Sequence, residues 1–139
     1  MASEPKPERS YLLLQEIVGS GQGVGEITAW IAQSQAARAT FRVRVENLSK
    51  TNRAQWNKTQ FRKIEDELCE IKWKADNVQW RALGFDFRGF FVMVLGCTHK
   101  GKVYDPHDWR KTALRRIAEV KNGQWKCVEY KHLKEEEVG

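Results

Sequence analysis

The chain has 139 residues, 41% hydrophobic and 30% charged, with a formal net charge of +6; that length suits one compact domain with a real core and is short for two. No apolar run approaches the roughly 18 residues that span a bilayer, and Met1 to Ser10 offers no apolar stretch for a secretory signal, so a cytoplasmic protein with no membrane partner is expected. Cys69, Cys97 and Cys127 are far apart and form no C-x-x-C pair, which argues against a zinc knuckle or a disulfide framework and leaves small buried hydrophobes in a reducing compartment.

Residues 1–9 hold two prolines and mostly polar side chains, too little apolar area to offset chain entropy, and read as a disordered tail. Tyr11 to Val18 is a short apolar run and a strand candidate. The loop from Gly19 to Gly25 invites a nucleotide-binding reading, but its spacing fails: the third glycine would have to stand at position 24 or 26, which are Val24 and Glu26, and no Gly-Lys-Ser/Thr follows. A flexible connector is the expectation.

From Glu26 to Lys50 the pattern is helical. Ile27, Trp30 and Ile31, then Ala37, Phe41, Val45 and Leu48, form an apolar stripe that leaves Arg38, Arg42 and Arg44 largely outside it, with a break near Ser34. Thr59 to Glu67 suggests another helical turn or two. Leu68 to Lys100 instead holds three runs rich in Val, Ile, Phe and Trp, separated by turn signals at Ala75-Asp76 and Arg88-Gly89, which predict an antiparallel meander. Alternation places Cys69, Ile71 and Trp73 on one face and Glu70, Lys72 and Lys74 on the other, so one face should pack under the helices while the other stays polar and basic. Pro106 should sit near the first turn of a helix carrying Trp109, Ala113, Ile117 and Val120, ended by Asn122-Gly123; Gln124 to His132 alternates as a last strand, and residues 133–139 form a charged tail. The expected fold is α+β, a small antiparallel sheet against N-terminal helices, in a single domain over 10–132.

The positive excess is concentrated: residues 71–116 carry ten basic and four acidic side chains, while the flanking segments nearly balance. Such a stripe attracts polyanions. Its residues are Lys72 and Lys74 on the first meander strand, Arg81 on the second, and His99, Lys100, Lys102 and Tyr104 at and past the end of the third, with Arg110 at the following helix. Cleaving RNA without a metal needs a base for the 2′-hydroxyl, an acid for the leaving 5′-oxygen and cations for the phosphorane, and these residue types can supply all three. His99, Asp105, His107 and Asp108 match no familiar metal-ligand spacing, so no metal site is expected.

The order ELCEIKWK, VQWRALGFDF, FFVMVLGCTHKGKVYDP and DWRKTALRRIAEV resembles the HigB-like, often phage-derived members of the RelE/ParE toxin superfamily, over about residues 36–122. That resemblance implies a RelE-like sheet wrapped by N-terminal helices, and a toxin of a type II toxin-antitoxin system: a cofactor-free, ribosome-dependent endoribonuclease that cuts messenger RNA, blocks translation and is silenced by a cognate antitoxin, a helix-turn-helix protein. By position, Lys72 matches the basic residue after Glu-Ile, Arg81 the central arginine of the next strand, and Lys100 the lysine after the apolar strand. Arg81, His99, Lys100 and Tyr104 are then the catalytic candidates: Arg81 with Lys72 on the scissile phosphate, His99 or Lys100 for proton transfer, Tyr104 to stack on a base or orient the nucleophile. Lys72, Lys74, Lys102 and Arg110 are the RNA-binding candidates. Many relatives have adjacent lysines where this chain reads His99-Lys100-Gly101-Lys102, which leaves the acid and base open. Two alternatives stand beside this reading: a non-catalytic ParE-like toxin that binds DNA gyrase, and an inactive relative kept for RNA binding.

Overall fold

The structure, a computed structural model, describes residues 14–48, 50, 56 and 60–131; the two expected tails lie outside them. In chain order the elements are β1 (Leu14–Val18), α1 (Glu26–Ile31), α2 (Gln35–Leu48), β2 (Phe61–Glu65), β3 (Leu68–Ala75), β4 (Val78–Phe87), β5 (Phe90–Lys100), β6 (Val103–Asp105), α3 (Trp109–Lys121) and β7 (Lys126–Glu129). One seven-stranded sheet runs β2-β3-β4-β5-β1-β7, with β6 added to β5. The meander is as expected. Its two tight turns carry Asp76 with Asn77 and Arg88 with Gly89, all four at positive φ, the paired left-handed residues that match the twist of a two-residue hairpin.

Three expectations need correction. The sheet is larger than anticipated and not wholly antiparallel, because β1 joins parallel to β5, with Leu14 opposite Phe91. Thr59 lies outside the described residues, and residues 60–67 do not form a helical turn: 61–65 are β2, pairing Phe61 with Ile71 and Arg62 with Glu70. Phe61 and Ile64 are three apart, which reads as helical, but a register shift between Lys63 and Glu65 is what breaks the strand's alternation. Pro106 stands before α3 rather than in its first turn, since the helix begins at Trp109.

The sheet is covered on both faces. α1 and α2 bury Ile27, Ile31, Ala37, Phe41, Val45 and Leu48 against Cys69, Ile71, Trp73, Trp80, Phe91 and Met93. Trp30 lies flat on β5 over Gly96, where an added Cβ would stand 2.0 Å from the indole, and it packs on Trp80 with centroids 5.2 Å apart. On the opposite face α3 buries Ala113, Ile117 and Val120 against Leu68, Leu83, Phe85, Val92, Val94 and Leu95. The face expected to be polar and open is therefore apolar and covered over much of its extent, and basic only at one end.

The glycine loop has a structural task. Glu16, 3% exposed on β1, accepts hydrogen bonds from the Ile27 and Thr28 amides and from the Thr28 hydroxyl, at 2.9, 2.8 and 2.6 Å. Its carboxylate thus caps α1, and Gly25 leaves room for it, because a Cβ there would meet the carboxyl carbon at 2.1 Å. The helix-start amides that suit a phosphate already hold a side chain of the same charge sign. Glu16→Ala would strip these partners from a buried helix start and is expected to lower stability by about 2 kcal/mol, measurable as a lower urea midpoint with an unchanged m-value.

Candidate active site

Strand alternation sends residues 70, 72 and 74 of β3, 79, 81 and 83 of β4, and 95, 97 and 99 of β5 to the α3 side. The register arranges them in cross-strand rows: Glu70, Leu83 and Leu95; Lys72, Arg81 and Cys97; Lys74, Gln79, His99 and Tyr104. Leu83 and Leu95 lie beneath α3. The other two rows form the basic end, bordered by the helix's first residue, Trp109.

Arg81 is the centre of this end, and it is 9% exposed. Its Nη2 lies 3.0 Å from Nε2 of His99, and its Nη1 lies 3.2 Å from Oε1 of the fully buried Glu70. The other carboxylate oxygen of Glu70 accepts a hydrogen bond from Nε of Arg62 at 2.6 Å. His99 Nδ1 is 3.1 Å from the Gly101 carbonyl oxygen. A carbonyl only accepts and a guanidinium only donates, so the ring carries its proton on Nδ1 and turns a lone pair on Nε2 toward Arg81.

An aromatic ladder borders the cluster. The His99 and Tyr104 rings stack with centroids 4.5 Å apart, and Tyr104 and Trp109 at 5.9 Å. The Arg81 guanidinium lies over both Tyr104 and Trp109, at 5.6 and 5.8 Å, and Arg110 covers Trp109 at 5.1 Å while pairing with Glu65 at 2.8 Å. A shallow groove of about 470 Å3, lined by His107, Asp108, Trp109, Arg110, Lys111 and Leu114, opens beside the ladder. Flat rings next to cations suit a nucleobase joined to a phosphate.

Two titrating groups are displaced from their ordinary values. Burial, first of all, holds the Lys72 ammonium below the usual lysine range; Glu70 opposes this, and Arg62 and Arg81 reinforce it. Burial also pushes the Cys97 thiol up to about 12, outweighing the nearby Arg81, so this cysteine stays protonated at neutral pH and serves as floor rather than nucleophile.

No family model, curated protein or solved structure matches the chain. Of the residues singled out in the sequence, Arg81, His99, Tyr104 and Lys72 come together, and Lys74 continues the His99 row at the exposed margin. Lys102, in the turn between β5 and β6, and Arg110 are exposed and peripheral. Lys100 follows His99 directly, so alternation turns it to the other side of β5, away from the cluster. Sequence reasoning missed Glu70 as the partner of Arg81 and Arg62 as the partner of Glu70, and it read Trp109 only as a residue at helical spacing with Ala113, Ile117 and Val120, whereas Trp109 is half-buried on the ladder. Among the described residues no group of three or more His, Cys, Asp or Glu is placed to hold a metal ion, and no helix is long and apolar enough to cross a membrane. A separate groove of about 920 Å3 between the glycine loop and β7 is lined by neither Arg81 nor His99.

Proposed function

We propose that the basic end of the sheet binds and cleaves RNA, and that the protein is a translation-inhibiting toxin of the HigB/RelE kind, acting on messenger RNA at the ribosome and held in check by an antitoxin. One observation carries the catalytic reading: Arg81 on β4 pairs with Lys72 on β3, and on its other side its Nη2 reaches Nε2 of His99, one row further along β5, at 3.0 Å. Adjacent strands are about 4.8 Å apart, so a phosphate on Arg81 would have a potential acid on one flank and a potential base on the other. In this reading Arg81 Nη2 turns from His99 onto a phosphate oxygen, which frees the Nε2 lone pair to take the 2′-hydroxyl proton. The 2′-oxygen then attacks phosphorus, the bond to the 5′-oxygen breaks, and that oxygen takes a proton from Lys72, leaving a 2′,3′-cyclic phosphate. Lysine is a stronger acid when its ammonium is destabilised, which suits Lys72 to this step better than an ordinary surface lysine. Tyr104 and Trp109 offer the neighbouring base a stacking surface.

The test is messenger RNA incubated with purified protein, with and without ribosomes, followed by mapping of new ends. New ends inside reading frames, bearing cyclic phosphate, dependent on ribosomes and lost in His99→Ala, are the expected result. Induced expression in cells completes the test: growth arrest with intact messenger and altered DNA supercoiling would replace this reading with gyrase binding. Neither arrest nor cleavage would remove the enzymatic reading.

A further inference from the structure

The row beside Arg81 runs Glu70, Leu83, Leu95. A carboxylate fully buried at the head of two leucines is an expensive choice. Burying a charge costs far more than burying an apolar side chain, and a buried ion pair is often replaceable by hydrophobic residues without loss of stability. A leucine at position 70 would match its row and its cover, so stability gives little reason for an acid here. Its contacts give a better one. Oε2 is fixed by Arg62 from the edge strand, and Oε1 is left to Arg81 Nη1.

At 3.2 Å that second contact lacks an aligned N–H, so Oε1 has no hydrogen-bond partner, and Arg81 Nε has none either. The pair is held at ion-pair distance without being saturated, which allows the guanidinium to pivot about Nη1 while Nη2 reaches His99. Among the described residues the remaining contacts of the guanidinium are with ring faces: Tyr104 and Trp109 pack against it but do not fix its rotation.

We infer that Glu70 is a positioning residue: braced by Arg62, it anchors one end of the Arg81 guanidinium so that the other end meets His99 Nε2 at rest and a substrate phosphate in the complex. Its part in RNA cleavage rests on the reading above; its hold on His99 does not. Arg62 is thereby assigned as the outer brace of the site, 45% exposed at its side chain and tied to a carboxylate with none.

The experiment is Glu70→Gln, which keeps size and an oxygen for Arg62 but removes the charge that anchors Arg81. The first readout needs no RNA: imidazole 15N shifts, with His99 assigned among His99, His107 and His132 by its loss in His99→Gln. Wild type should show the Nδ1–H form, and Glu70→Gln a mixture of tautomers. The second readout is cleavage, with kcat lower on the order of 100-fold from misplacement of a group at the phosphate, and KM held within about threefold because the surrounding lysines still bind the backbone. A folded Glu70→Gln protein with wild-type His99 shifts overturns the positioning role whatever RNA does. If wild type cuts no RNA while the shifts respond, the anchoring of Arg81 and His99 stands and the RNA reading falls. Should Glu70→Gln fail to fold, Glu70→Asp, which keeps the charge and withdraws it by one methylene, must give the mixed tautomer, and unchanged shifts there overturn the role.

Discussion

Arg81→Ala is expected to lose stability and activity together, and the two losses should be separable. Removing the guanidinium leaves Glu70, fully buried, with Arg62 as its remaining ionic partner. Breaking a buried pair from one side costs about 3 to 5 kcal/mol. The retained Arg62 contact places the expected loss at the lower end, about 3 kcal/mol, or a fall of about 10 °C in Tm for a chain of this size. The same substitution removes the cation that would meet the phosphate, a loss of about 100- to 1000-fold in kcat if Arg81 acts as a transition-state donor. Adding Glu70→Leu to Arg81→Ala removes the stranded charge and extends the row of Leu83 and Leu95, so most of the thermal loss should return while activity stays lost. Thermal melts and cleavage rates of the two single variants and the double make the comparison. A double variant no more stable than Arg81→Ala would show that the stranded carboxylate is not what destabilises it. The practical consequence is that a toxicity assay on Arg81→Ala alone confuses unfolding with loss of chemistry.

The parts of the fold that were legible in the sequence are those with local causes. Ala37, Phe41, Val45 and Leu48 trace one stripe of α2 and all are buried; the turn pairs at 76–77 and 88–89 separate the meander strands; and the alternation of Cys69, Ile71 and Trp73 with Glu70, Lys72 and Lys74 survives in the structure. What could not be read depends on distant partners. No local pattern says that β1 joins β5 in parallel, and β6 has only three residues, too few to show a period. α3 covers Leu83 and Leu95 because they share a face with the basic residues, a fact visible only once the rows are aligned. The site divides in the same way. Arg81, Lys72, His99 and Tyr104 could be listed from sequence as basic or polar residues near strand ends, but parity along β5 is what separates His99 from Lys100. Glu70 was read as part of a solvated polar face because alternation tells which face a residue takes and not whether that face is wet.

The pH dependence of cleavage should bear the mark of Lys72. A lysine acting as general acid works while protonated, so the rate must fall as pH rises through its pKa. Burial, with Arg62 and Arg81 adding to it and Glu70 resisting, displaces that pKa downward in the free protein, and the descending limb of kcat/KM, which reports the free protein, should therefore lie below the ordinary lysine value of about 10.4. Lys72→Met removes the acid, with an expected loss of about 100- to 10,000-fold in kcat. Lys72→Arg is the more telling substitution, because a guanidinium keeps the positive charge at the phosphate yet stays protonated throughout the accessible range. RNA binding should then persist, kcat should fall, and the alkaline limb assigned to Lys72 should disappear. Rates measured from about pH 6 to about pH 10 in wild type and Lys72→Arg distinguish the roles: full activity in the arginine variant would make Lys72 a phosphate-binding cation, the role its position in the sequence first suggested. A Lys72→Arg profile that keeps the same limb at lower amplitude would place the titrating acid elsewhere in the cluster.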